Sequence, residues 1–350
     1  PARRQAMFNK NAAEVATYNM PINVNSWQQV RPYINEDESD ALALMTFWLR
    51  DGNQRALDVT TVRKLIKQNS FLNKFNTEDG KIYGVFAPYA RSGRYTCKNQ
   101  NLQQLPRLTK GIFTSERYML YSDFSQLELR SIAAITADQR MVETYRQGGD
   151  IHNLVSEMVK IKRQIAKTIN FNGLYGGGVS MMSSILIKDA EILLPHEEVA
   201  SALRRWKRLF YGVASWQEKG IRDHRGGRLG STACGRKYHG RLMTDQLNIE
   251  NQGTGAEVAK LAMHYMYPDL QANDCNLMNF IHDSYIVDTP HEEDIICEVS
   301  KRMAESMQEA WFEVTKQCKV TDLPMPVTIL GGTHWGDIEA GQYDYKYEVA

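Results

Sequence analysis

The sequence predicts an α+β fold, and three observations carry that reading. Strand-like and helix-like segments are mixed along the 350 residues without a repeating strand–helix–strand rhythm. Two apolar, β-leaning runs, RYMLYSDF (117–124) and LMNFIHDSYIVDTP (277–290), each carry an aspartate where the run breaks. The stretches around and between them place apolar residues at the three-to-four spacing of amphipathic helices.

In chain order, 38–51 (ESDALALMTFWLRD) and 58–75 (DVTTVRKLIKQNSFLNKF) read as helices with an acidic start. Residues 79–110 carry Gly, Pro, Asn and Ser around short strand-like pieces such as KIYGVFAPYA. RYMLYSDF reads as a strand running into the helix QLELRSIAAIT. From 138 to about 226 the chain is mainly helical, broken by YGGGVS (175–180). That break lacks the context of GxxxxGK[ST] or GxGxxG and reads as a helix stop. Residues 222–236 form a loop and 251–267 a helix. A β-hairpin over 277–290, a long helix from 291 to about 317 and a final strand, MPVTIL, close the chain.

Composition is that of a globular protein, 43% hydrophobic and 24% charged. No apolar run approaches the roughly 18 residues a bilayer span needs, and the first residues lack the apolar core of a secretory signal. The opening on Pro1 is what a trimmed or processed fragment would show. Five scattered cysteines without a CxxC argue against a disulfide framework or zinc cluster and fit an intracellular, reducing compartment. Net charge is only +1, yet residues 151–241 hold 16 Lys and Arg against 7 Asp and Glu. One contiguous stretch, about a quarter of the chain, is therefore basic and the remainder acidic, which suggests a polyanion partner, with a solvated charged surface as the bland alternative.

Three side chains interrupt the second apolar run: His282, Asp283 and Ser284. A nucleophilic triad is excluded, because one histidine must reach both serine and aspartate while strand neighbours point to opposite faces. An aspartate after a strand is most often a turn residue. A metal reading needs a second carboxylate, and Asp123 stands in an analogous context before a helix. Two strand-end carboxylates on adjacent strands suit a pair of divalent cations, although spacing alone does not establish the pairing. Between them, IKRQIAKTINFNGLYGGG sets Arg163, Lys167, Phe171 and Tyr175 four residues apart. On a helix these form a ridge about 18 Å long, two cations for phosphates and two aromatics for sugar or base. An amphipathic helix with a solvated basic end explains that segment equally well by itself.

Together these segments resemble motifs A, B and C of the family A (DNA polymerase I-like) DNA polymerases: YSDFSQLELRS, RQIAKTINFNGLYG and FIHDSYIVD, in that order. SGRYTCKNQNLQQLP is similar to the stretch before motif A, and GGDIH to the link toward the fingers. STACGRKY, NQGTGAE and LGGTHWGDI resemble later family signatures, so the likeness runs from about residue 79 to the C-terminus. It implies a right-hand fold with an antiparallel palm sheet, helical fingers and a reduced helical thumb. The division expected is 1–79 thumb-like, 80–137 palm, 138–240 fingers and 241–350 palm.

The resemblance implies a template-directed DNA polymerase that adds nucleotides from dNTPs to a primer 3′-hydroxyl and releases pyrophosphate. Asp123, Asp283 and the Phe124 carbonyl would hold two Mg²⁺ ions, with Mn²⁺ as a substitute. Arg163 and Lys167 would grip the outer phosphates, with Lys167 counted among the catalytic groups and His152 assisting. Glu128 would crowd the sugar 2′ position, Phe171 would pack on the sugar, and Tyr175 would stack beside the template base. Gln126 completes the nucleotide set. Arg94, Asn101, Gln103, Arg236, Asn248, Gln252 and His282 would meet DNA, several through minor-groove acceptors common to every correct pair. Primer–template DNA and dNTPs are the implied partners, with a separate exonuclease or processivity factor beside them and no membrane. The setting implied is the cytoplasm of a bacterium or phage-infected host, or an organelle. Three departures stand out: Ser284 where many members have Glu, FNGLYG where FGxxYG is usual, and Thr244 where an Arg is usual. No room for an exonuclease domain precedes the thumb-like stretch within these residues.

Overall fold

The computed structural model describes residues 2–75, 77 and 79–350; Pro1, Asn76 and Glu78 lie outside the described residues. The chain begins with helices α1 (Ala2–Thr17), α2 (Trp27–Ile34), α3 (Ala41–Asp51) and α4 (Gln54–Lys74). Short strands β1 (Val85–Ala87) and β2 (Thr96–Lys98) precede the long β3 (Thr114–Phe124) and α5 (Leu127–Thr136). A helical run follows: α6 (Gln139–Arg146), α7 (Ile151–Val159), α8 (Arg163–Leu174), α9 (Val179–Ala190), α10 (His196–Leu209) and α11 (Tyr211–Arg225). After the short pair β4 (Gly230–Ser231) and β5 (Lys237–Tyr238) comes α12 (Met243–Ala272). The hairpin β6 (Asn276–Ile281) and β7 (Ser284–Thr289) leads into α13 (Glu293–Thr315). β8 (Val327–His334), α14 (Trp335–Glu339) and β9 (Tyr345–Val349) complete the chain.

The expected α+β class is the observed one, with an antiparallel sheet and segregated helices. Two compact units divide it, Pro1–Ile82 with Val155–Trp206, and Tyr83–Leu154 with Lys207–Ala350. The first unit is helical. Its N-terminal core joins Val30 and Ile34 of α2, Leu44 and Phe47 of α3, and Ala56, Val59 and Val62 of α4. Asp40 caps α3 by accepting from the Leu42 and Ala43 amides, and Asn53 caps α4.

The second unit is built on a five-stranded antiparallel sheet in the order β6-β7-β3-β8-β9. Residues alternate across β3: Leu120, Ser122 and Phe124 are buried, while Tyr121 and Asp123 are half-buried. The buried face lies toward α12, because Tyr285, paired with Ser122, donates its hydroxyl to the Ala259 carbonyl at 2.5 Å. Trp311 of α13 is fully buried and donates to the Leu323 carbonyl at 2.7 Å.

Three elements differ from the sequence expectation for physical reasons. α12 starts at Met243, well before 251, because its buried face includes the polar Gln246, Asn251 and Thr254. Those residues disguise the apolar period. α1 buries Asn11 and no apolar side chain; the Asn11 amide bonds to Asn69 at 3.0 Å on α4, so no hydrophobic stripe marks the helix. β9 alternates tyrosines with charges at the sheet edge, where one face stays wet.

Candidate functional site

The sheet brings the two expected carboxylates together. Asp123 lies directly opposite Ser284 in the β3–β7 register, so Asp283, one residue earlier, sits at the same end of the sheet. Asp283 is in the two-residue tip between β6 and β7. His282 adopts the left-handed conformation there, with φ 58°, and the Asp283 amide donates to the Ile281 carbonyl at 2.7 Å. The turn and the site are therefore one feature. Ser284 donates its hydroxyl to that same carbonyl at 3.0 Å and also bonds the Tyr121 phenol.

Electrostatics mark this end of the sheet. Burial, and then the charge of Glu128, push the Asp283 carboxyl up to about 6, against the pull of Arg94 and of its own backbone amide. Burial first and Asp123 next raise the Tyr121 phenol. Burial lowers the His282 imidazole, with the Arg94 guanidinium adding to the effect. Arg94 and Glu128 form an ion pair, each mostly shielded. Among the described residues no cluster of three or more His, Cys, Asp or Glu side chains forms a self-sufficient metal cage. A desolvated Asp283 beside Asp123 nonetheless fits Mg²⁺, which takes one or two carboxylates and completes its shell with substrate oxygens.

The turn after β3 is braced from behind. Phe124 is buried and meets Tyr285 edge-on at 6.4 Å between centroids. Gln126 has φ 54°, a left-handed conformation costly for a side chain of its kind. Its amide donates to Asp150 at 3.0 Å and accepts from the Tyr145 hydroxyl at 3.0 Å. Arg130 stacks on Tyr145 at 4.1 Å and donates to the carbonyls of Ser125 and Pro324 at 2.9 and 2.6 Å. His152 is buried in the first turn of α7. Sequence reading named Gln126 and His152 but gave no role to Asp150 and Arg130, which lie within the quoted segments GGDIH and YSDFSQLELRS, and it missed Tyr145, which lies outside them.

The candidate phosphate ridge lies on α8, in the first unit. Arg163 and Lys167 are exposed, Phe171 and Tyr175 half-buried, and Ile165, Ala166, Ile169, Asn170 and Leu174 form the opposite, buried face. Four-residue spacing thus yields a single outward ridge. The FNGLYG departure has a packing reason. A Cβ on Gly173 would stand 3.0 Å from the Trp206 ring, whose Nε1 donates to Asn170 at 2.8 Å. Asn172, where glycine is usual, lays its side chain over Gly177 in the space a Cβ would need, and the Gly177 amide donates to the Asn172 carbonyl at 2.9 Å. The Asn172 Nδ2 has no hydrogen-bond partner among the described residues.

The remaining DNA-contact candidates fall in the second unit. Asn101 accepts from the Gln103 amide at 3.1 Å, and Gln103 donates to the Phe280 carbonyl at 2.9 Å, tying that loop to the hairpin. Asn248 and Gln252 are half-buried on α12. Arg236 donates to the carbonyls of Arg91 and Ser92 at 2.8 and 2.6 Å. Its guanidinium therefore fastens the loop that carries Arg94.

An antiparallel sheet accompanied by helical regions is what a right-hand polymerase fold contains. The solved POL domain of Pol1 from M. smegmatis, in complex with DNA primer-template and dNTP, shares that fold. It superposes with a TM-score of 0.78 at 19% identity, over 97% of this chain and 66% of that one. The sequence matches DNA polymerase family A over residues 8–337, and the chain belongs to that family. DNA polymerase I of Aquifex aeolicus is 29% identical over 298 residues, which is 81% of this chain and 51% of that protein. The thermostable DNA polymerase I of Thermus aquaticus is 26% identical over 286 residues, 73% of this chain and 32% of that protein. The chain spans about half or less of the length of these relatives. Among the described residues no helix is long and apolar enough to cross a membrane.

Proposed function

We propose that the chain is a template-directed DNA polymerase, transferring deoxynucleotides from dNTPs to a primer 3′-hydroxyl. The observation that carries this reading is the register of β3 on β7, which sets Asp123 beside the Asp283 turn in a family A chain. In this reading residues 1–79 serve as a reduced thumb, 80–137 and 241–350 as palm, and 138–240 as fingers. Asp123, Asp283 and the Phe124 carbonyl hold two Mg²⁺ ions, for which Mn²⁺ can substitute. When bound, such a pair lowers the pKa of the attacking hydroxyl and offsets charge on the transferred phosphate.

The chain's own residues do the rest. Exposed Arg163 and Lys167 supply charge-assisted hydrogen bonds to the outer phosphates, Lys167 at the leaving pyrophosphate, and His152 assists. Gln126 and Glu128 border the sugar, Glu128 acting as the steric gate once it parts from Arg94. Phe171 packs on the sugar and Tyr175 stacks beside the template base. Arg94, Asn101, Gln103, Arg236, Asn248, Gln252 and His282 order the primer–template, Arg236 by way of the 91–94 loop. A separate exonuclease or processivity factor would complement this chain.

Primer extension with Mg²⁺ and the four dNTPs tests the reading. Wild type is expected to extend the primer, and Asp123→Ala/Asp283→Ala to bind it without extension. Robust extension by the double variant would refute the mechanism. Preference for NTPs over dNTPs would turn the assignment toward RNA synthesis.

A further inference from the structure

The carboxylate of Asp150 contacts both the turn after β3 and the first turn of α7, and no role assigned above accounts for it. One oxygen, Oδ2, accepts from the Gln126 Nε2 at 3.0 Å. The other, Oδ1, accepts from the Asn153 amide at 2.8 Å, and the Asp150 carbonyl accepts from the Leu154 amide at 3.0 Å. Asp150 is thus the N-cap of α7, whose first turn carries His152. The same side chain that starts this helix holds the turn following Phe124.

That turn needs holding. Gln126 sits at φ 54° without being glycine, and the left-handed region costs such a residue roughly 1–2 kcal/mol. Its amide is fixed in one orientation, because Nε2 faces a carboxylate and Oε1 faces the Tyr145 hydroxyl at 3.0 Å. Tyr145 is immobilised in turn: it is fully buried under the Arg130 guanidinium, which is pinned to the carbonyls of Ser125 and Pro324. The Asp150 carboxylate, which can only accept, sets the direction at the Gln126 amide, since the Tyr145 hydroxyl can serve as donor or acceptor. Reversing that amide would set its oxygen against the carboxylate.

We propose that Asp150 is a positioning residue that locks the turn bearing Phe124, Gln126 and Glu128 to the helix bearing His152, and so sets the affinity for the incoming nucleotide. This rests on the polymerase reading above. In this proposal Asp150 acts through Gln126 and through the first turn of α7. Its loss is therefore expected in nucleotide affinity more than in turnover.

The test is a double-mutant cycle on the full chain, read as the KM for dTTP and kcat in single-nucleotide extension of a primer–template. Asp150→Asn keeps an acceptor for the Asn153 amide but removes the charge at the Gln126 contact and leaves the Gln126 amide free to turn, the Tyr145 hydroxyl then accepting. It is expected to raise KM about tenfold, the worth of one charge-assisted hydrogen bond, with kcat reduced less than about threefold. Gln126→Glu sets two carboxylates against each other and is expected to do at least as much. In Gln126→Glu/Asp150→Asn the amide and carboxylate exchange places while the Tyr145 bond survives, and KM is expected to return to within about threefold of wild type. Tyr145→Phe, a milder change that deletes one hydroxyl, is expected to raise KM about threefold and keeps the test open if Gln126→Glu fails to fold. A double variant as poor as the product of the singles, or an unchanged KM in Asp150→Asn and Tyr145→Phe, would overturn the proposal. A wild type that binds dTTP but does not extend would instead overturn the polymerase reading, and the same cycle run on dTTP binding would still decide the role of Asp150.

Discussion

The two regions that carry the candidate chemistry are held in opposite ways. The carboxylates Asp123 and Asp283 depend on strand register: β3 is paired on both sides, by β7 and β8, and its buried face is fixed through Tyr285 to α12. The cationic ridge of α8 depends on one helix face, with Gly173 under the Trp206 ring and Asn172 over Gly177. In the sheet the functional groups are short, half-buried and fixed by backbone. On the helix the two cations are long and exposed. Positional accuracy resides in the first region and reach in the second, and the nucleotidyl transfer proposed above asks for both.

The largest expected effect breaks the sheet side. Asp123→Ala or Asp283→Ala alone should lower the extension rate by at least about a thousandfold, the several kcal/mol that charge stabilisation at such a centre supplies. Thermal melts should show the fold retained. On the helix side, Arg163→Ala and Lys167→Ala should each raise the dNTP KM or lower kcat by about ten- to a hundredfold with unchanged melting, because both side chains are exposed. A loss of stability there would mean that the ridge also serves the fold. Smaller again, Gly173→Ala should destabilise by about 1–3 kcal/mol as its methyl meets Trp206. Gly177→Ala should do the same and be relieved by Asn172→Gly, which denaturant unfolding would show.

A last effect concerns pH. Burial and Glu128 raise the folded-state Asp283 carboxyl to about 6 from its ordinary 3.8, so the metal-free folded chain holds a proton that the unfolded chain releases. Stability should therefore fall as pH rises from about 4 to about 6 and level off above. Melting in chelator, wild type against Asp283→Asn, isolates this slope. If the difference curve is flat over that window, the site is better solvated than its burial implies.

Much of this was legible from residues, but unevenly. The α8 ridge is local, and four-residue spacing foretold which side chains lie outward. The hairpin and its acid were legible as a break in an apolar run. The pairing of Asp123 with the Asp283 turn was not, because register joins residues 160 positions apart, and only the motif resemblance supplied it. Asp150, Tyr145 and Arg130 escaped because their roles lie in hydrogen-bond geometry, which leaves no periodicity. α1 and the first turns of α12 escaped because their buried faces are polar.

The Asn172–Gly177 contact carries a consequence for how this chain can change. Because the Asn172 side chain fills the volume that a side chain at 177 would require, the two positions are not free to drift independently. Replacing Asn172 by a smaller residue first and Gly177 second avoids the overlap that the reverse order must pass through.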